Sequence, residues 1–342
     1  MINNIWNQWQ RNPVTISPSE KKIIMTIPFP TVTICPEIPT TTFEFDISAT
    51  LKHLPNLNDR NTEINILSAF AHVCPRLPEL IDFKDNFTNE SIYQIFRMTE
   101  EKFERQLSQC SWLEQVRDGS DCGQYVAPVF TDNGICLTFN ALNSYDTYTD
   151  QIAPEMITLK SKPNVSYWSL DGGYTDKSIM IHDPYPMRTG IASSGQSFAL
   201  KLSVSQYEFE YKCSGIYQGF KVILTTPGEA LKMSQNSFRV PLSEKTMVTI
   251  NPKLITTSEG LRSYEPNQRQ CFYQHERQLR FFKLYTQEIK IQKSVAQQKS
   301  SVTMELKVSF GQARASKRFV TNAIVCQDVL RFNTMLRSID TR

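Results

Sequence analysis

The chain has 342 residues, 40% hydrophobic and 21% charged, with 18 prolines against 12 glycines and a net charge of +3. That length can bury a substantial core as one large domain or two ordinary ones, and the composition fits a loop-rich, strand-rich globular protein. No run of 18 apolar residues occurs, and Met1 to Trp6 has neither a basic region nor an apolar core. The sequence therefore offers no bilayer-spanning segment and no signal peptide of its own.

Residues 1 to about 50 read as extended segments punctuated by Pro and Thr. Within them Ile27 to Cys35 reads I-P-F-P-T-V-T-I-C. Pro28 and Pro30 bias their preceding residues toward extended geometry, and the β-branched run Thr31 to Ile34 leaves Pro30 as a strand. This strand delivers Cys35, either to a dedicated partner or as a buried thiol on a Pro-kinked edge strand. A helix is expected over 62–74, with Ile64, Leu67, Ala71 and Cys74 on one face, Asn61 or Thr62 as cap, and Pro75 as terminator. A second is expected over 90–109 behind an Asn89 cap. Ile92, Ile95, Phe96, Phe103 and Leu107 form its stripe, and Glu100, Glu101, Lys102, Glu104 and Arg105 its wet face. Both stripes read as packing faces.

From about 125 the periodicity changes to two. Phe198, Leu200, Leu202 and Val204 alternate with polar residues, and Tyr207, Phe209 and Tyr211 continue the alternation after a one-residue slip, as at a bulge or strand end. Phe220, Val222 and Leu224 form another strand, stopped by Pro227-Gly228. The middle third is thus expected to be antiparallel β. A break follows near residue 288. All prolines and tryptophans precede it, and residues 288–342 carry ten Lys or Arg against four Asp or Glu. That tail lacks the clustering and aromatic interleaving of a nucleic-acid-binding segment, so no nucleic-acid partner is expected.

The eight cysteines are Cys35, Cys74, Cys110, Cys122, Cys136, Cys213, Cys271 and Cys326. None forms C-x-x-C and the four histidines are scattered, so neither a metal site nor any other cofactor is expected. A sparse disulfide set in a large extracellular domain explains the spacing better. Asn86, Asn89 and Asn164 head Asn-x-Ser/Thr triplets and are candidate N-glycosylation acceptors. No G-x-S-x-G, H-E-x-x-H or phosphate-binding Gly loop occurs, and the neighbours His182 and Asp183 would face opposite ways on a strand, so an enzyme is not expected.

Several segments resemble the degenerin/epithelial sodium channel family, most closely its insect pickpocket branch. Ile27 to Cys35, with Pro28 and Pro30, is similar to the strand after that family's first transmembrane helix. Cys110-Ser111-Trp112, then Cys122, then Gly134-Ile135-Cys136-Leu137-Thr138-Phe139-Asn140 resembles C-x-W…C…G-x-C-Y-T-F-N, with Leu137 in place of tyrosine. Trp168 to Tyr174, Gly219 to Val222, Thr226 to Glu229, and Thr257 through Arg262, Tyr264 and Pro266 follow in family order. Arg269 to Phe272 and Phe281 to Gln287, which includes Tyr285, complete the series.

The resemblance implies an amiloride-sensitive, sodium-selective trimeric channel at the plasma membrane, gated by a ligand or by mechanical input, with a clenched-hand ectodomain. It implies a mostly β fold with α-helices (α+β), holding palm strands, a β-ball and a helical finger over residues 1–287. It pairs Cys35 with Cys136 and Cys110 with Cys122, and it leaves Cys74 and Cys213 unassigned. Other channel subunits are the implied partners, together with an unknown extracellular ligand or stimulus. Both transmembrane helices and the selectivity filter of the family have no counterpart in the sequence, so this polypeptide is not expected to conduct alone, and it would meet the membrane only through a full-length parent.

The family continues after Gln287 into a cysteine-rich thumb that the tail does not match. Read one frame over, degenerate codons for Phe310-Gly311-Gln312 permit Trp-Pro. Those for Asn322 to Val329 permit Cys-Asn-Cys-Leu-Pro-Gly-Cys, similar to the family's late C-x-C-L-P-x-C. The tail is therefore expected to be frame-shifted and poorly packed, with the thumb and last palm strands missing. Cys271 would be unpaired through loss of its partner, and Cys326 would not be structural. The alternative function is a non-conducting ectodomain that binds ligands or partner subunits, as a decoy or truncated product.

Overall fold

The computed structural model describes residues 2–4, 6, 23–53, 61–80, 92–152, most of 166–283, and the strands at 324–325 and 329–340. Its centre is β1 (Thr31–Pro36), whose six residues are all buried. Pro28 and Pro30 precede the strand, so they remove no donor from its ladder. The strand is interior to its sheet, not at an edge as a Pro-kinked reading would place it. Val32 and Ile34, both under 10% exposed, each contribute about 1.5–3 kcal/mol of burial.

After β1 come α1 (Ile47–His53) and α2 (Asn61–Ala71). α2 ends before Cys74, and Ile64 lies 38% exposed, whereas Leu67 and Cys74 are buried as expected. The helix expected over 90–109 is instead two short ones, α3 (Ile92–Arg97) and α4 (Glu101–Gln106), separated by a turn at Met98 to Glu100. Chain at 107–109 belongs to β2 (Leu107–Trp112). The break re-phases the helix, and Lys102, expected on the wet face, is fully buried. The apolar stripe survives, because Ile95, Phe96, Phe103 and Leu107 all join one core cluster. The expected Asn89 cap falls outside the described residues.

Next come β3 (Gln115–Asp118), β4 (Val126–Thr131) and β5 (Gly134–Phe139). Gly134, at φ +88°, closes the β4–β5 hairpin in a conformation that glycine adopts freely. Two short strands, β6 (Trp168–Ser169) and β7 (Gly173–Tyr174), precede β8 (Phe198–Leu202). The alternation predicted to run on through Tyr211 stops with β8, and Tyr211–Ser214 is a helical turn. β9 (Gly219–Thr225) and β10 (Phe238–Pro241) complete the main sheet, whose order is β10-β9-β1-β5-β4. Every pairing in it is antiparallel, with Ile34 opposite Val222 on one side and Leu137 on the other. A smaller antiparallel sheet, β3-β2-β8, stands beside it. Phe139 joins the two, stacked on Phe198 at 3.9 Å and close to Trp112 at 5.1 Å.

The chain then enters β11 (Glu244–Ile255) and β12 (Cys271–Phe272). Two strands come from the tail: β13 (Ile324–Val325), parallel to β12, and β14 (Val329–Asp340). β14 runs antiparallel to β11 from Glu244↔Asp340 to Ile255↔Val329. β14 is one strand of a two-stranded ribbon with β11.

Candidate functional site

Among the described residues, three disulfides tie the fold. Cys35 at the end of β1 is bonded to Cys136 in the adjacent β5, and Cys110 in β2 is bonded to Cys122. The third joins Cys74 to Cys213, the two cysteines that the family resemblance left unassigned. They lie 139 positions apart, and the carbonyl of Cys213 also accepts from Arg76 N–H. The even cysteine count was the only sequence signal for this pair. Cys271 opens β12, opposite Ile324.

Other residues singled out in the sequence fall into distinct surroundings. Trp112 is buried against Phe29 at 5.0 Å, and Trp168 is buried on β6. Gly219 starts β9 at φ +143°, where an added Cβ would lie 2.5 Å from the Val240 carbonyl oxygen. The Arg262 guanidinium lies over the Tyr273 ring at 5.6 Å, Tyr264 is exposed, and Pro266 begins a helical turn. Asn86, Asn89, Asn164 and Tyr285 lie outside the described residues.

A cleft of about 930 Å³ opens beside the β4–β5 hairpin, between α4, the 140–148 segment, the 185–187 loop and Gly228-Glu229. Its walls include Phe103, Phe130, Tyr148 and Tyr185, and Glu100, Glu104 and Glu229 supply carboxylates. Burial pushes the phenols of Tyr148 and Tyr185 above their usual range, and the Asp146 charge adds to the shift at Tyr185. Both phenols therefore remain neutral hydrogen-bonding groups at neutral pH. Tyr185 donates to the carbonyl of Ala141. Asn143, 6% exposed, lines the cleft, and its Oδ1 has no hydrogen-bond partner among the described residues. Such a buried acceptor is completed by water or by a donor on a bound molecule. Among the described residues no group of three His, Cys, Asp or Glu side chains is placed to hold a metal. The cleft can bind and orient a partly apolar molecule.

One edge of the cleft is built on Asn140, at the end of β5. Its φ of +57° belongs to the left-handed region, which Asn tolerates better than most residues. Its Nδ2 donates to the carbonyls of Phe29 at 2.6 Å and Met187 at 3.2 Å, and its Oδ1 accepts from Met187 N–H at 2.6 Å. Thr31 Oγ1 donates to its main-chain carbonyl at 2.8 Å. One amide thus binds the residues leading into β1 to a loop that lines the cleft. The Thr-Phe-Asn run at the end of a strand was visible in the sequence, but nothing there marked the asparagine as a junction.

A second polar cluster surrounds Lys102. Its Nζ donates to the carbonyls of Pro39 and, at 3.3 Å, Ile38. Nearby, Arg105 pairs with Glu44 and approaches Glu208 at 3.5 Å. Burial lowers the Lys102 ammonium to about 7, against the opposing pull of Glu44 and Glu208. No described helix is long and apolar enough to cross a membrane.

The sequence profile of the amiloride-sensitive sodium channel family matches residues 1–296. Pickpocket protein 28 of Drosophila melanogaster is 26% identical over 296 residues, a match that covers 83% of this chain and 45% of that protein. The chain therefore spans less than half the length of this relative. The mixed fold with its antiparallel sheets and disulfides agrees with an extracellular domain of that kind, and the ordered motifs from Pro28 to Phe282 fall within the matched span. The chain belongs to the amiloride-sensitive sodium channel family.

Proposed function

We propose that this chain is the extracellular portion of an amiloride-sensitive, ligand- or mechanically gated sodium channel subunit, acting at the outer face of the plasma membrane with other subunits of its family. The family match across residues 1–296 carries this reading. In it, the β10-β9-β1-β5-β4 sheet supplies palm and β-ball strands and α2 to α4 supply the finger. The bridge from Cys35 to Cys136 fixes the first palm strand at its outer end. Residues 288–342 stand in place of the thumb and last palm strands as a frame-shifted segment. Genomic sequence around the codons for Gln287 and Glu288 tests that assignment. An uninterrupted reading of C-N-C-L-P-G-C in another frame supports it, and its absence from every frame refutes it.

Conduction requires a ring of pore-lining carbonyls that no described residue supplies. The chain expressed alone is therefore expected to pass no current. Coexpressed with a full-length pickpocket-type subunit, it is expected to alter that subunit's amiloride-sensitive sodium current. The cleft favours a second reading, a non-conducting ectodomain that binds a ligand or partner subunit as a decoy. Applied as purified protein outside cells that express the channel, a decoy would reduce ligand-evoked current without joining the channel, whereas a subunit would act only when coexpressed.

A further inference from the structure

The cleft and the start of β1 meet around Asn140. Asn140, Thr31 and Met187 all line the cleft, and Asn140 bonds to the main chain of both Phe29 and Met187. Phe29 N–H also donates to the Met187 carbonyl at 2.8 Å, so the 185–187 loop and the residues before β1 are cross-linked twice. The Phe29 ring packs edge-on against Trp112 at 5.0 Å and Phe139 at 5.9 Å. The loop has a further tie, because Tyr174 Oη donates to the Pro186 carbonyl at 2.8 Å. Tyr185 and Met187 of this loop and residues of β4 line the same cleft.

We infer that Asn140 is a positioning residue that transmits the state of the cleft to the start of β1. This rests on reading the cleft as a ligand site. The side chain does so by divided labour. Oδ1 holds the loop through Met187 N–H, and Nδ2 holds the residue before the strand through the Phe29 carbonyl at 2.6 Å, with a longer bond to the Met187 carbonyl at 3.2 Å. A displacement of the loop moves the amide plane as a unit, since the two atoms share one rigid group. Asp at this position keeps the acceptor for Met187 N–H and loses the donor to the Phe29 carbonyl, together with the longer bond to the Met187 carbonyl. It therefore cuts the connection while leaving the loop attached.

Hydrogen exchange on the full chain tests this. Phe29 lies between Pro28 and Pro30, which have no N–H, so its amide can be read by itself in a short peptide. Ala127 on β4 lines the cleft, and Ala127→Phe is the probe that fills it. In the wild-type background, Ala127→Phe is expected to slow Phe29 exchange about threefold by buttressing the 185–187 loop. Asn140→Asp and Asn140→Gly, both tolerant of the positive φ, are expected to speed Phe29 exchange about five- to tenfold. In either background the effect of Ala127→Phe on Phe29 should vanish, while the Thr33 amide stays protected in every variant. A purely structural Asn140 would loosen Thr33 together with Phe29. An equal Ala127→Phe effect with and without the Asn140 amide overturns the inference, because the Phe29–Met187 main-chain bond would then carry the coupling. No effect in the wild-type background overturns it too. These readouts need no current, so their failure is distinct from failure of the channel assignment.

Discussion

Lys102 is the residue whose chemistry the sequence least foretold. It stood on the expected wet face of a long helix, and the turn at Met98 to Glu100 carries it inward instead, onto the carbonyls of Ile38 and Pro39. With its ammonium lowered to about 7 from an ordinary 10.5, the folded chain releases between those pH values a proton that the unfolded chain keeps. The unfolded state binds more protons there, so stability rises with pH across that window, by up to about 1.4 kcal/mol per pH unit. Below pH 7 the full cost of burying the charge applies. Urea unfolding of wild type and Lys102→Met at pH 6.5, 8 and 9.5 checks this. The wild type should gain stability on the variant as pH rises, and parallel profiles would exclude the titration. The cysteines show a different limit. Cys74 and Cys213 were countable, but 139 intervening residues of unknown path hide a pairing that only the packed fold brings together. Cys74→Ser with Cys213→Ser is expected to lower stability by about 2–5 kcal/mol, read as an earlier urea midpoint.

At the level of elements, β1 was the most legible part of the chain, because two prolines and a β-branched run act locally and need no partner to be read. Its central place in the sheet was not legible, since the strands that pair with it on either side, β5 and β9, are both distant in sequence. The alternation of β8 and β9 was readable for the same local reason. The split of 90–109 into α3, α4 and the start of β2 was not, because its apolar stripe fits one helix or two short ones equally well. β9 begins at a point of close approach. Gly219→Ala would place a Cβ 2.5 Å from the Val240 oxygen at a φ that side chains rarely adopt. The substitution is expected to cost about 1–3 kcal/mol, with the β9–β10 pairing the first to open. Hydrogen exchange that remains unchanged along Phe238–Pro241 in this variant would contradict the account of that junction.

Across the whole molecule, the described residues up to Pro241 carry three disulfides, three sheets and the main core, while the tail contributes β14, one strand of a two-stranded ribbon with β11, and the short β13 beside β12. An isolated two-stranded ribbon is marginally stable in water. Under brief native-state trypsin treatment, residues 288–342 are expected to be removed before any cut within 92–152. Protection of the tail equal to that of the β4–β5 hairpin would contradict its reading as a frame-shifted segment. The candidate cleft was invisible in the sequence because its walls come from six separated stretches of chain. The family was legible because ordered short motifs survive even where contacts cannot be foreseen. The most direct test of the central claim is recording from cells that coexpress this chain with a full-length pickpocket-type subunit. The account predicts no current from the chain alone and a changed amiloride-sensitive sodium current in coexpression. A partner current identical with and without the chain would contradict it.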